Sequence, residues 1–348
     1  MKKALCLVAA VALLGFSFDP ALAAETWTPK VAAHRGASGY LPEHTLPAKT
    51  MAYAMDPDYI EQDVVMTKDG VLMVMHDPQL DTTTDVAKKF PGRQRSDGKF
   101  YVADFTLPEI ETLVLTERFD PETGKPVFSG RFPGDSGIPF RLPKFEDELK
   151  LIQGLNKSTG KDVGVYVEVK EPAFYAREGK DITQAVIDTL TKYGYNSPDS
   201  NAILQIFDYD AVKSAREKGW KGELAMLVTK NGQHLTDDKK VHEWLMTPEG
   251  MAEVSKYATI YAPSFALLAV PDDQTGYKIT GLADMARKNG MKVHSWTLRK
   301  DQLWPGFKSM EQALDAAFKE IKLDGLFSDF PDEVVKYLRK NGMKPAAN

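Results

Sequence analysis

Short apolar runs alternate with helical patterns along most of this chain, and no other feature of the sequence constrains its fold as strongly. A strand, a helix and a further strand in succession are typical of a parallel sheet covered by helices. Eight runs have the length and composition of buried strands, at 31–36, 59–66, 163–170, 202–207, 223–228, 259–263, 292–297 and 325–328. This repetition predicts an α/β fold, the TIM (β/α)8 barrel, with a doubly wound open sheet as the alternative.

Helical patterns fall between the predicted strands, at 44–54, 145–155, 182–193, 210–218, 281–289, 310–321 and 331–341. The least regular of the helical patterns follows Val228, where Asn231-Gly232 and Pro248-Glu249-Gly250 interrupt it. Polar residues at the strand ends favour the barrel, because barrel active sites form at the carboxyl ends of the strands. These residues are His34, Asp63, Glu168, Lys170, Asp208 and Asp329.

The alternation of strands and helices is lost between Asp77 and Arg141, which predicts an insertion over 78–141. It follows the second strand and its hairpin and is roughly 60 residues long, far longer than an ordinary loop. Thr106-Leu107-Pro108-Glu109 fits a capping box that opens a short helix. The insertion either caps the site expected at the carboxyl ends of the strands or forms a solvated loop on the surface.

The first residues have the pattern of a secretory signal peptide. Lys2 and Lys3 precede an apolar stretch over 4–18, and Ala21-Leu22-Ala23 supplies small residues for cleavage. Removal of 1–23 would leave one exported domain over 24–348 without a stable membrane anchor. A retained anchor is the alternative, although the apolar stretch is short for a bilayer span.

Cysteine content and net charge exclude several kinds of function. Cys6 is the one cysteine of the sequence and lies inside the predicted signal peptide. The mature chain would therefore have no disulfide, no cysteine-bound zinc and no thiolate nucleophile. The formal net charge of −5 argues against a nucleic-acid-binding protein, which usually has a basic face.

Two strand-like runs around Asp69-Gly70 predict a β-hairpin with a two-residue loop. That loop would pair Lys68 with Val71 and, counting outward, Asp63 with His76. Glu61 lies two residues before Asp63 and would project from the same face of the strand. The hairpin is therefore expected to bring two carboxylates and an imidazole together.

The blocks His34-Arg35-Gly36 through Thr45, Glu61-x-Asp63 and His76-Asp77 resemble the glycerophosphodiester phosphodiesterase family, especially its periplasmic bacterial members with an insertion. The segments 168–170, 204–208 and 324–331 fit the same family. One departure is His44, where many members have Asn. The resemblance implies a TIM barrel that hydrolyses glycerophosphodiesters, the deacylated remains of phospholipids, to sn-glycerol 3-phosphate and an alcohol.

Glu61, Asp63 and Glu168 are the predicted metal ligands. Carboxylates clustered without an offsetting cation are costly to ionise, and a bound divalent cation removes that cost. Oxygen ligands suit Ca²⁺ or Mg²⁺ rather than zinc, and the resemblance points towards Ca²⁺. Each acid taken alone is also compatible with a surface position or a salt bridge.

The remaining site residues are assigned by chemical type and by the resemblance. His34 and His76 are predicted to be the general acid and base, in an order left open. Arg35 and Lys170 are predicted to bind phosphate oxygens, although Lys170 could instead pair with a site acid. Gln205 and Trp296 could line the substrate pocket, although barrel packing explains Trp296 equally well.

The other four histidines, His44, His234, His242 and His294, are expected to be structural. The expected partner is a small-molecule glycerophosphodiester, and a homodimer is possible. Two rival functions stay open, a phospholipase acting on intact lipid and a non-catalytic secreted binding or adhesion protein. A phospholipase would need an apolar surface for acyl chains, and no basic amphipathic segment indicates one.

Overall fold

The computed structural model describes residues 27–230 and 239–346, and within them eight parallel strands close into a barrel. The first and last strands pair, and the first also pairs with the second, so the ring has no open edge. In chain order the strands are β1 Lys30–Ala33, β2 Tyr59–Met66, β3 Gly164–Val169, β4 Ala202–Ile206, β5 Glu223–Val228, β6 Ile260–Pro263, β7 Lys292–Leu298 and β8 Gly325–Ser328. The predicted TIM barrel is confirmed, and the open-sheet alternative is wrong.

Helices cover the outside of the barrel. The main ones are α1 Leu46–Ala54, α2 Phe145–Thr159, α3 Ile182–Lys192, α4 Tyr209–Glu217, α5 Pro248–Val254, α6 Leu282–Lys288, α7 Met310–Asp315 and α8 Pro331–Lys340. A π-helical turn, Ala316–Glu320, continues α7. The other helices are Val86–Lys89, Leu107–Ile110, Pro172–Arg177, Lys239–Leu245 and Phe265–Leu268, with a 3-10 turn at Val102–Asp104. A small antiparallel ribbon pairs Ala269–Asp272 with Gly276–Ile279.

The interrupted pattern after β5 resolves into two short helices. Pro248 is the first residue of α5, where its missing N–H costs nothing, and the Thr247 side chain caps that helix. Proline therefore begins a helix here, although in the sequence it looked like a helix breaker. Asn231-Gly232 lies outside the described residues.

The barrel core is built from side chains that point inward from the strands. Strands covered on both faces become nearly continuous apolar runs, as the sequence showed. Inward residues form one buried cluster that includes Tyr166, Ile203, Leu227 and Phe327. His294 also points inward, and its Nδ1 lies 3.1 Å from the Tyr166 hydroxyl.

The hairpin forms, but its predicted register is wrong by one residue. A ninth strand, Leu72–Val74, pairs antiparallel with β2 and places Val64 opposite Val74. The loop has three residues, because Gly70 adopts a left-handed φ of 84° and adds a bulge to the turn. The Met75 N–H consequently donates to the Asp63 carbonyl, and His76 begins the next segment.

The segment 78–141 leaves the barrel directly after His76 and returns at α2. Isolated bridges tie it together, for example Gln79 with Tyr101 and Leu115 with Phe140. The capping box at Thr106 forms, and the Asp69 carboxylate of the hairpin also accepts the Leu107 N–H. The segment therefore packs against the hairpin from which it starts.

Both ends of the described chain lie at the face where the strands begin. The Trp27 indole donates to Asp324, directly before β8, at 3.2 Å. Near the other end, the Lys344 ammonium donates to Asp58, directly before β2, at 2.9 Å. The predicted signal peptide, 1–23, lies outside the described residues and stays a prediction. Within 27–230 and 239–346, no helix combines the length and apolarity that a membrane crossing requires.

Candidate active site

All nine predicted site residues lie at the end of the barrel where the strands finish. Eight of them line one cavity of about 500 Å³, and Asp63 is buried beside them with 1% of its surface exposed. The eight are His34, Arg35, Glu61, His76, Glu168, Lys170, Gln205 and Trp296. Asp208 also follows a strand, but its carboxylate caps α4 by accepting the Ala211 N–H.

His34 follows β1 directly and is held by a carboxylate from the opposite end of the chain. Its Nδ1 lies 2.6 Å from Asp329 Oδ1, just after β8. Burial, reinforced by the neighbouring Arg35 cation, lowers the pKa of His34 to about 4 despite the attraction of Asp329. The imidazole is therefore neutral at pH 7, with its Nδ1 occupied and its Nε2 left for the cavity.

His76 has the same arrangement on the other side of the cavity. Its Nδ1 lies 2.5 Å from Asp77 Oδ1. Burial, together with the Arg35 and Lys170 cations, lowers the pKa of His76. A second neutral imidazole with a fixed ring thus faces the same space, and two such groups can exchange protons with a ligand between them.

The carboxylates of β2 form the floor of the site. The backbone N–H of Arg35 donates to Glu61 Oε2 at 2.6 Å, and Gln205 Nε2 donates to Glu61 Oε1 at 3.2 Å. Burial first, and then the Asp63 charge, raise the pKa of Glu61 well above its ordinary value. Although burial opposes it, the Lys170 cation holds the pKa of Asp63 well below its usual range.

Lys170 and Glu168 form a buried ion pair beside Asp63. The Lys170 ammonium lies 2.6 Å from Glu168 and 3.7 Å from Asp63, so the salt bridge considered from the sequence is present. Burial raises the pKa of Glu168 to about 8 despite this contact, while the two acids raise the pKa of Lys170. Lys170 is nevertheless on the cavity wall.

His44 lies in the acid cluster. The sequence indicated a structural histidine at this position and did not place it in the site. Its Nε2 lies 2.8 Å from Asp63 Oδ2. Potential ligand atoms of His44, Glu61 and Asp63 lie within 4.8 Å of one another, and all three residues are buried. Neither His44 Nδ1 nor Asp63 Oδ1 has a hydrogen-bond partner among the described residues. Buried acids with an unsatisfied oxygen fit a divalent cation, which would offset their charge.

Two further predicted residues lie on the cavity wall. Gln205 reaches Glu61, as described above. The Trp296 indole donates to the Ala262 carbonyl at 3.0 Å and meets Phe207 edge to face at 5.5 Å. Trp296 therefore both packs at the top of the barrel and presents a ring to the cavity.

Two of the remaining histidines, His242 and His294, do not line this cavity. His242 Nδ1 lies 3.5 Å from the Thr229 N–H, and His294 is enclosed in the barrel with Tyr166. His234 lies outside the described residues.

Several residues of the site were missed by the sequence reasoning. A second cavity of about 220 Å³ shares His34, Arg35, His76 and Arg299 with the first. Its remaining wall includes Glu43, Arg118, Phe128, Arg131 and Asp329. Asp77 directly follows His76 in the sequence, and Asp329 was among the polar residues near the strand ends, so these positions were the available signal. Arg118, Phe128 and Arg131 belong to the insertion, whose sequence has no periodicity that marks them.

Comparison with known proteins agrees with this geometry. The model of the glycerophosphoryl diester phosphodiesterase family matches residues 34–333. A Haemophilus influenzae protein named glycerophosphodiester phosphodiesterase is 41% identical, with 97% of this chain and 98% of the relative covered. A Treponema pallidum protein of the same name is 36% identical, with 89% and 92% covered.

Solved structures share the fold. An Oleispira antarctica phosphodiesterase, solved in complex with the product sn-glycerol-3-phosphate, aligns with a TM-score of 0.58 at 18% identity. The alignment covers 90% of this chain and 97% of that one. The family model and the two sequence relatives each extend over most of the chain. This chain therefore belongs to the glycerophosphoryl diester phosphodiesterase family.

Proposed function

We propose that this protein hydrolyses glycerophosphodiesters to sn-glycerol 3-phosphate and an alcohol such as choline or ethanolamine. One observation carries the proposal: two carboxylate-held imidazoles, Arg35 and Lys170 line the same cavity as the acid cluster. The names of the sequence relatives and the product bound to the Oleispira antarctica enzyme support this substrate class.

Arg35 and Lys170 would bind the anionic phosphate. A guanidinium donates two parallel hydrogen bonds that match two phosphate oxygens, and an ammonium adds a compact charge. Arg35 is oriented for this by Glu43, which accepts from its Nη1 at 3.0 Å. Charge that develops on phosphorus-bound oxygens during reaction would be stabilised by these cations.

Glu61, Asp63 and Glu168 would hold a divalent cation, with Ca²⁺ preferred and Mg²⁺ as the alternative. His44 donates to Asp63 and would orient that carboxylate, as hydrogen-bond partners of metal ligands commonly do. Its place in the close triad also makes it an alternative third ligand. A bound cation would act as a Lewis acid that polarises the phosphoryl group.

His34 and His76 would carry the protons. One neutral imidazole accepts the proton of the glycerol 2-hydroxyl as that oxygen attacks phosphorus. The other imidazole gains a second proton at Nε2, which the bound anionic phosphate favours, and gives that proton to the departing alkoxide. The product of this step is a cyclic phosphate, which water opens with the two roles reversed. Holding the hydroxyl beside phosphorus makes the attack intramolecular, with a large entropic advantage.

The direct test is to treat the protein with EDTA and then incubate it with glycerophosphocholine, with and without Ca²⁺. We expect sn-glycerol 3-phosphate to appear only with the cation. A diester in which hydrogen replaces the glycerol 2-hydroxyl should bind but turn over very slowly. Absence of product under all conditions would refute the activity, whereas rapid cleavage of the 2-deoxy analogue would refute the cyclic intermediate. Parallel incubation with an intact phospholipid tests the phospholipase alternative.

A further inference from the structure

The insertion reaches the carboxylate that holds His76. Asp77 binds the imidazole with Oδ1, and its other oxygen, Oδ2, accepts from Arg118 Nη1 at 2.6 Å. The Thr82 hydroxyl donates to the same oxygen at 2.8 Å. Arg118 is 15% exposed, its Nη2 and Nε donate to Glu43 at 2.7 and 3.1 Å, and its Nη1 also donates to the Thr82 hydroxyl at 3.0 Å. The guanidinium is therefore fixed between two acids and is not itself directed at a substrate.

The same arrangement recurs at His34. Asp329 binds that imidazole with Oδ1, and Oδ2 accepts from Arg131 Nη2 at 2.8 Å. Arg131 is 4% exposed, also pairs with Asp301, and has its guanidinium 3.7 Å from the Phe128 ring centre. The two histidines thus share one pattern. One oxygen of the carboxylate binds the imidazole, and the other oxygen accepts a hydrogen bond from an arginine of the insertion.

We propose that Arg118 and Arg131 are positioning residues, through which the insertion fixes the tautomer and orientation of His76 and His34. This inference rests on the proposed function for its kinetic consequences. A carboxylate held at one oxygen alone can rotate and release the imidazole. An arginine bound to the second oxygen fixes the plane of the carboxylate and keeps the carboxylate ionised. The imidazole then keeps its proton on Nδ1, which donates to the carboxylate, and its Nε2 faces the substrate.

The two supports differ in strength. Arg299 Nε also donates to Asp329 Oδ2 at 2.8 Å, so His34 keeps one arginine-held carboxylate when Arg131 is lost. Among the described residues, Arg118 is the one lysine or arginine paired with Asp77. Loss of Arg118 should therefore impair the reaction more than loss of Arg131 alone.

The test compares kcat and KM of Arg118→Met, Arg131→Met and Arg131→Met/Arg299→Met. Outer partners of an active-site histidine commonly contribute about 10–100-fold to activity. We expect Arg118→Met to lower kcat by about 10-fold or more, Arg131→Met to lower it less, and the double variant to approach Arg118→Met. Arg95→Met is the matched control, because this insertion arginine also pairs with two acids, Asp104 and Glu178, away from the site. Its kcat should stay near that of the wild type.

A double-mutant cycle separates positioning from a general structural role. In a His76→Ala background, measured with an activated phenol as leaving group, Arg118→Met should have little further effect. If Arg118→Met lowered kcat in that background as much as in the wild type, or if it changed KM alone, the proposal would be overturned. A change in KM alone would indicate that Arg118 acts on Arg35 through Glu43. Melting temperatures establish that each variant is folded, and Arg118→Lys, which keeps the charge, replaces Arg118→Met if that variant does not fold.

A spectroscopic measurement keeps the inference separate from the proposed activity. In protein labelled with ¹⁵N-histidine, the ring nitrogens of His76 should report one neutral tautomer, with the proton on Nδ1. Arg118→Met should produce a mixture of tautomers, and Arg95→Met should not. An unchanged His76 spectrum in Arg118→Met would overturn the positioning role even if catalysis were confirmed. If the wild type failed to hydrolyse glycerophosphodiesters, the proposed function would fall, and this measurement would still decide the role of Arg118.

Discussion

At the scale of single residues, the proposed reaction depends on two imidazoles whose Nδ1 atoms are already occupied. His34→Ala and His76→Ala should each lower kcat on glycerophosphocholine by about 10²–10⁴-fold, the usual contribution of a positioned acid or base. The two variants should differ on a diester with an activated phenol, because a good leaving group needs no proton from the acid. Near wild-type turnover by both variants on glycerophosphocholine would contradict the assignment.

The acid cluster predicts a stabilising metal. A cation that binds only the native state at 100 times its dissociation constant adds about 2.7 kcal/mol to stability. Ca²⁺ should therefore raise the melting temperature of EDTA-treated protein, and Asp63→Asn should remove that shift. Comparing Glu168→Ala with His44→Ala identifies the third ligand, since loss of a ligand weakens binding more than loss of its orienting partner. A shift with zinc alone would refute the preference for hard oxygen ligands.

The residues that could be predicted share a local cause. His34 and Lys170 lie just beyond strand ends and Asp63 lies in the second half of β2, and the barrel brings these parts of the strands to one rim. Arg118 and Arg131 could not be predicted, because they meet Asp77 and Asp329 across 41 and 198 residues of chain. Such contacts depend on how an aperiodic insertion folds back. His44 was assigned by residue type alone, and residue type does not reveal a neighbour such as Asp63.

At the scale of elements, strand positions were predicted closely, whereas the hairpin register was not. β2 and β5 have the predicted limits, since apolar runs bounded by polar residues mark a buried strand. The hairpin loop is one residue longer than predicted, and its Asp69 carboxylate accepts from the Thr67 hydroxyl and from the Leu107 N–H of the insertion. Gly70 then takes the left-handed position as a bulge.

Two glycines with left-handed backbones should respond differently to alanine. A Cβ at Gly70 would meet nothing within 4 Å, so Gly70→Ala should cost only about 1 kcal/mol, the conformational penalty. A Cβ at Gly36 would lie 2.9 Å from the Ala48 carbonyl, so Gly36→Ala should cost clearly more. It should also lower activity, because Gly36 follows His34 and Arg35. Urea denaturation and turnover measure both effects, and equal costs would contradict this account.

At the scale of the whole molecule, the barrel interior should make stability sensitive to acid. Burial lowers the pKa of His294 to about 3, from 6.5 in an unfolded chain. Below pH 6.5 the unfolded state therefore binds a proton that the native state does not, and stability falls as the pH falls towards 3. His294 should contribute about 2 kcal/mol of the loss between pH 7 and pH 5. His294→Gln should lose correspondingly less over that interval in urea denaturation, and an identical loss would refute the prediction.

Trp27 and Lys344 are anchored at the face where the strands begin, and the cavity opens at the opposite face. Immobilisation on a resin or electrode through a residue beside Trp27 or Lys344 would therefore leave the mouth of the barrel directed into solution. Fusion partners joined beside either residue would be attached on the far side of the molecule from diffusing substrate. Because Trp27 and Lys344 lie on one face, a short peptide could join them, which makes this barrel a suitable starting point for circular permutation.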